Sequence, residues 1–415
     1  MFNKSQLFFL IIFLFSIQMS IGQNNTNSPY TRYGYGELID SHSGEQKGMG
    51  GVALGFRKGS SINTINPASY SAVDTMNFMF DIGLSGLLSR FNEQGNYKNS
   101  FNSNLEYITM QFPISRSIGF SAGLLPYSFS GYNFTQTDSI EIAGNPSGQY
   151  ARFSKTFIGS GGISQVYAGL GYKFLDHISV GVNAYYMFGE VSNSRINTFT
   201  NSGFAGSTQM NSIIVSNFRF RYGLQLYNTF ADKHEFTLGA IYEMKAPFDG
   251  TFRQINQSVP ADTLTFANDF DMPTTLGVGL HYNFDNRLSV GVDYSMQQWA
   301  DARYFGVTDS LRNLTKLSVG GEYIPNPRGN DYLDRVRYRA GFNISDPYYK
   351  IPGVAPVKNF GISFGVGLPL RTSKTMLNAT VEYGKSGDAS LFREDYFKFT
   401  FNATFNESWF FKRKL

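Results

Sequence analysis

Fourteen segments in which apolar residues hold every second position constrain this chain more than any other feature. Such alternation marks a strand with one apolar and one polar face. Val166, Ala168, Leu170, Tyr172 and Phe174 form one set; Ile178, Val180, Val182, Ala184, Tyr186 and Phe188 form the next. Others begin at Phe78, Ile108, Ile118, Phe218, Phe236, Leu276, Leu288, Val336, Phe360, Leu377 and Phe397, and a less regular one covers Leu314–Tyr323. The pattern predicts an all-β chain folded as a transmembrane antiparallel β-barrel of about 14 strands, an even number as single-chain barrels require.

Connection lengths support the same reading. Short turns at Pro113–Ser117, Leu175–His177, Ala231–His234, Asp285–Arg287 and Arg371–Lys374, and a somewhat longer one at Asn326–Asp334, alternate with long polar stretches. These are Arg90–Ser103, Ser128–Gly162, Ser192–Ile214, Ala246–Asp271, Ala300–Asn313, Ser345–Lys358 and Ser386–Glu394, all read as loops. Outer-membrane barrels turn tightly on the periplasmic side and loop widely outside. The expected location is therefore the outer membrane of a Gram-negative cell, with both termini in the periplasm. The 40 Phe and 26 Tyr suit an outward face in contact with lipid and its interfaces.

The N-terminus agrees with export. Lys4, the apolar run Leu7–Ile17 and the small-residue site Ser20-Ile21-Gly22 read as a signal peptide over residues 1–22. The run is too short for a spanning helix. The absence of cysteine excludes a disulfide framework, a thiolate metal site and a lipoprotein anchor. A formal charge of only +4 implies no nucleic-acid partner. Residues 23–73 lack alternation and are rich in Gly, Ser, Asn and Pro. They read as an N-terminal hatch or plug, or a periplasmic arm, ahead of a barrel over residues 74–415. The last strand and tail, Phe405–Leu415, resemble the C-terminal signal read by the outer-membrane assembly machinery.

Two stretches carry a family resemblance. Gly48-Met49-Gly50-Gly51-Val52-Ala53-Leu54 is followed by Ser60-Ser61-Ile62-Asn63-Thr64-Ile65-Asn66-Pro67-Ala68. Later come Pro273 before a strand, Asp293-Tyr294-Ser295-Met296-Gln297-Gln298-Trp299, Tyr338-Arg339-Ala340-Gly341-Phe342, and Gly361 to Gly367. The chain thereby resembles the FadL-type (TodX-like) outer-membrane transport proteins over most of its mature length. The resemblance implies a 14-stranded barrel that takes up long-chain fatty acids or other hydrophobic molecules through a pocket above a hatch. It also implies that Asn66, Pro67 and Ala68 help hold the hatch near that ligand; an ordinary Asx–Pro turn explains the same residues. The family's landing site uses apolar helical loops, whereas Ser128–Gly162 and Ser192–Ile214 are rich in Asn, Ser, Thr and Gly.

If the apolar sets face lipid, the other face carries Asp81, Lys173, Arg219, Arg221, Glu243, Asp293, Arg337, Arg339, Glu382 and Lys398. Charges of mixed sign at such positions brace a barrel wall or seat a plug; a selectivity filter would cluster one sign. Catalytic chemistry is not indicated. His177 and His234 fall in turns, His42 in the N-terminal segment, and His281 has Gly277, Gly279 and Asn283 beside it on its face, with no nucleophile. No metal-ligand spacing or cofactor motif stands out, and Tyr33-Gly34-Tyr35-Gly36 lacks a strand-to-helix context for nucleotide binding. Two functions stay open. One is transport of a hydrophobic ligand. The other is a non-transporting subunit of a larger outer-membrane complex, such as barrel-assembly or nutrient-uptake machinery. An apolar pocket above Asn66 would favour the first, and a filled lumen the second.

Overall fold

The computed structural model describes residues 24–93, 95–141, 150–200, 205–248, 250–257, 262–267, 270–351, 353, 355–370, 374–388 and 392–408. The signal-peptide segment and the end of the C-terminal tail lie outside these residues.

The wall is a closed antiparallel barrel of 14 strands. They are β1 (Asn77–Glu93), β2 (Asn96–Pro113), β3 (Ile118–Phe129), β4 (Tyr150–Leu175), β5 (Ile178–Phe199), β6 (Ser207–Phe230) and β7 (His234–Glu243). There follow β8 (Thr275–Phe284), β9 (Leu288–Gln297), β10 (Leu314–Tyr323), β11 (Arg337–Ser345), β12 (Asn359–Pro369), β13 (Met376–Asp388) and β14 (Phe392–Ser408). Closure comes from β1 against β14, with Asn77 opposite Ser408 and Asn92 opposite Arg393. Every period-two segment of the sequence is a strand, and its apolar set faces outward: Leu84, Leu170, Phe220, Leu280, Val319 and Phe401 are all exposed. A continuous greasy belt around a closed sheet is the surface a bilayer needs, because closure leaves no lipid-facing backbone unpaired. Placing a charge on this belt is therefore costly. Phe401→Arg, at a position 61% exposed between Phe397 and Phe405, is expected to destabilise the barrel by about 2–4 kcal/mol. Urea titration of the barrel folded into lipid vesicles measures it.

Several stretches read as polar loops are strand instead. β4 runs for 26 residues, more than twice the roughly 9–11 that a tilted strand needs to cross. Its upper half pairs with Tyr132–Glu141 on one side and with β5 up to Phe199 on the other. β6 begins already at Ser207 and pairs with a further strand, Gly250–Gln257. Arg90–Ser103 is a tight hairpin. These extensions are rich in Ser, Thr, Asn and Gln, so they carry no outward apolar alternation, although Phe157, Val191, Ile213 and Val215 within them are buried. Ala300–Asn313 and Ser345–Lys358 remain irregular, apart from a 3-10 turn at Trp299–Asp301.

Two irregularities shape the wall. In β2, Tyr107 faces Gly83 and Leu105 faces Leu84, so Glu106 is an extra, bulged residue. The bulge turns both Glu106 and Tyr107 inward, where both are buried. Strict alternation from Ile108 and Met110 would put Glu106 in lipid. The second irregularity lies between β2 and β3, which pair only over Ile108–Pro113 and Gly119–Leu124. Above Leu124 the chain of β3 leaves β2, shifts register between Pro126 and Ser128, and stays with β4.

Candidate functional site

The lumen is the candidate site, and the segment of residues 24–73 packs against its wall. The segment's path is set by wall glycines. A Cβ on Gly239 would strike the Leu54 carbonyl, one on Gly181 the Pro67 backbone, and one on Gly119 the Tyr70 carbonyl. On the opposite wall, Gly320 and Gly341 face the backbone of Met49 and Gly50 in the same way. At these glycines polypeptide backbone touches bare backbone, with no room for water between segment and wall.

Near the short-turn end, Asn66 caps a 3-10 helix, Pro67–Ala72, by accepting from the Ala68 N–H. Its Nδ2 donates to the Leu54 carbonyl at 2.8 Å and to Leu224 of β6 at 3.2 Å. Asn66 and Ala68 are fully buried, and Pro67 presses on Gly181 and Gly223. All three thus sit within packed contacts between segment and wall. Asn66→Ala removes a cap and one of two donors to the Leu54 carbonyl, Gln225 being the other, and is expected to cost about 1–2 kcal/mol. Thermal unfolding in detergent tests this.

Halfway up, a short helix, Gly44–Gly48, starts with a capping box between Ser43 and Gln46. It delivers Glu45 to a buried charge cluster. Glu45 pairs with Lys58, with Arg339 at 3.2 Å and with Arg337 at 3.5 Å. Glu322 of β10 binds the same three cations, at 3.2 Å (Lys58), 2.7 Å (Arg339) and 3.3 Å (Arg337). Burial by itself would raise the Glu45 carboxyl; Lys58, Arg339 and Arg337 hold it well below the usual carboxylate range. Lys47 bonds the bulged Glu106, which also takes Lys398 at 2.8 Å. Asp293 accepts the Ala53 and Leu54 N–H groups at 2.6 and 2.7 Å. Arg219 and Arg221 share Glu243, and Arg221 also donates to the Ile65 carbonyl at 3.3 Å. Six of the ten charges expected on this face, Arg219, Arg221, Glu243, Asp293, Arg337 and Arg339, lie within these contacts. Asp293, Arg221, Arg337 and Arg339 bind the N-terminal segment directly, and Arg219 and Glu243 complete the Arg221 group. Glu106, Lys316 and Glu322 escaped the sequence reading, the first through the bulge and the others through the irregular tenth strand.

Above the charge cluster lies a cavity of about 350 Å³, lined by Glu37, Asp40, His42, Arg221, Lys316 and Glu394 among others. Burial pushes the His42 imidazole down to about 3, so it is neutral there. Charged groups project into it from both the segment and the wall, among apolar lining such as Leu38, Leu54 and Tyr348. Apolar packing exists higher still, but it is solid. Tyr35, Trp299, Phe270, Met187 and Tyr348 form one buried cluster at the long-loop end. Tyr33-Gly34-Tyr35-Gly36 supplies its centre. Gly34 and Gly36 have φ of +61° and +91°, and a Cβ on either would meet the Tyr348 ring or the Phe129 carbonyl. The Tyr35 N–H donates to the Tyr348 hydroxyl at 2.9 Å, which in turn donates to the Gly36 carbonyl. His281 packs edge-on to Phe56 of the segment.

The fold is shared with solved outer-membrane transporters. A FadL homologue from Pseudomonas aeruginosa superposes with a TM-score of 0.59 at 14% identity, covering 90% of this chain and 99% of that one. The CymD monoaromatic hydrocarbon channel gives 0.59 at 13%, covering 90% and 99%. The Pseudomonas putida toluene transporter TodX gives 0.58 at 15%, covering 90% and 100%. No curated protein matches the sequence. The expected FadL-type architecture is therefore present, in a transmembrane barrel of the outer-membrane type whose named structural relatives are transporters and channels rather than enzymes. At the level of sequence, the model of one family, BamG, matches residues 1–415, and this chain, a barrel of FadL-like fold, belongs to the BamG family.

Proposed function

We infer that this chain is a non-transporting barrel that serves as a subunit of a larger outer-membrane assembly. One observation carries the reading: the solidly apolar part of the lumen is filled by the protein itself. Tyr35 and Trp299 occupy it, and Asp40, Lys316 and Arg221 project into the cavity beneath them. Burying an apolar solute against Asp40, Lys316 and Arg221 would strip those groups of water without compensation. In this reading the short-turn end and the C-terminus face the periplasm, and residues 24–73 are a permanent plug. Asn66, Pro67 and Ala68 then serve the plug and not a ligand.

Transport of hydrophobic molecules, long-chain fatty acids included, is the second reading. The shared fold with TodX and CymD favours it. So does the opening between β2 and β3, although the plug residues behind that opening are polar.

Native mass spectrometry of the particle extracted from its own membrane in mild detergent separates the two. A stable complex with other envelope proteins and no specific lipid is the expected result. A lone barrel carrying a fatty acid or hydrocarbon would overturn the assignment.

A further inference from the structure

The opening between β2 and β3 has two unlike edges. The β3 edge is served from inside: Glu37 and Leu38 pair with Phe129 and Ser128, and the Ile39 N–H donates to the Tyr127 carbonyl at 2.9 Å. The β2 edge is not. From Tyr97 to Tyr107, β2 has β1 as its ladder partner and, among the described residues, none on its other side. The lower part of this edge lies within the apolar belt, because Phe101 and Leu105 face outward, 57% and 41% exposed, beside Leu88 and Leu84.

Lipid cannot satisfy such an edge, since hydrocarbon offers no donors or acceptors. The plug does not satisfy it either. Its first residues reach only the inward side chains of β2: Asn27 Nδ2 donates to Ser100 Oγ at 2.6 Å, and Asn104 Nδ2 donates to the Asn25 carbonyl at 2.8 Å. These contacts make a polar floor behind the gap, which suits the polar face of a strand and not an apolar solute.

We propose that the edge Tyr97–Tyr107 of β2 is a docking site for an extended segment of another envelope protein, added as an antiparallel strand. The segment's chemistry follows from the edge. Its residues alternate, apolar ones outward beside Phe101 and Leu105, and polar ones inward above Asn27 and Asn102. A second copy of this chain does not fit. A two-fold axis along the membrane normal would present a second β2 running in the same direction, so the two edges would meet parallel. The inference rests on the subunit reading and identifies the surface through which the subunit is held.

Hydrogen exchange on two preparations tests it: the purified chain alone in a lipid nanodisc, and the native particle. In the chain alone, amides of Tyr97–Tyr107 that point into the gap exchange freely, whereas in the particle they slow by about tenfold or more. A benzoylphenylalanine placed at Phe101, on the lipid side and away from the plug, is expected to cross-link within the particle to one extended segment with period-two apolar residues. Equal exchange in the two preparations overturns the proposal, as do cross-links confined to lipid or to a second copy. A particle that forms with the edge unprotected removes this proposal and leaves the subunit reading standing. Absence of any particle removes both.

Discussion

Gly341→Val is expected to turn a closed barrel into a leaking one. A Cβ at this position meets the Gly50 nitrogen and the Met49 carbonyl carbon, with the Gly50 Cα 2.7 Å away. These are backbone atoms held on their other side by the plug's own bonds: Gly50 and Gly51 both donate to carbonyls of the Gly44–Gly48 helix region. Gly50 also has a φ of +68°, a conformation with little latitude once its neighbours are fixed. Overpacking in a filled core costs about 1–3 kcal/mol, and two further methyls deepen the clash. The wall is continuous hydrogen-bonded sheet, so the plug is the part that yields. Planar-bilayer recordings should pass from a silent baseline to stable open-channel currents, and Lys47 and Lys58 should become cleavable by trypsin. Ala340→Val is the control, because that side chain faces outward and leaves the seat untouched. A silent Gly341→Val barrel with an uncut plug would mean that the segment has room to shift within the lumen.

Arg339→Met carries the largest expected loss of stability. The Arg339 side chain is fully buried and donates to Glu322 at 2.7 Å, to Asn378 at 2.7 Å and to Glu45 at 3.2 Å. Removing it leaves two buried carboxylates with only Lys58 and Arg337, and breaking a buried pair in this way costs about 3–5 kcal/mol. Glu45→Gln added to Arg339→Met should recover part of the loss, and a double-mutant cycle in urea reads the coupling. The pH dependence has a definite sign. The folded-state pKa of Glu45 lies below its unfolded value of about 4.3. Its contribution is therefore complete above that value and fades only as pH falls toward the folded pKa. The plug should accordingly stay seated under mildly acidic conditions and loosen in strong acid. Trypsin-like cleavage is unsuited to that range, so pepsin access to residues 24–73 is the measurement.

How far the sequence carries depends on where each residue sits relative to lipid. A strand against hydrocarbon must show its apolar residues at period two, and all 14 did. Arg219, Glu243, Asp293 and Arg339 followed from the same rule, as the residues between. Beyond the lipid belt the constraint lapses, so Tyr132–Glu141 and the upper halves of β4 and β5 looked like loops. Glu106 was invisible because one inserted residue reverses the phase of everything above it. The plug was the hardest to read, having no period. Yet its footprint is written in the wall. Gly119, Gly171, Gly181, Gly223, Gly239 and Gly341 all fall at inward positions of their strands, and small residues confined to the inner face signal a body pressed against it. The Asn66-Pro67-Ala68 motif falls within this segment, at packed contacts with the wall.

The tight seating of the plug governs how the protein can be made. β1 and β14, whose pairing closes the ring, lie at opposite ends of the barrel sequence, at Asn77 and Ser408. Backbone contacts at Gly239, Gly320 and Gly341 then grip Met49, Gly50 and Leu54 from several sides. The segment must therefore be threaded while the sheet is still an open curl, like a ship built inside its bottle. Closure waits on residues 24–73 being in place, so the pairing that completes the ring is also the step that locks the segment in.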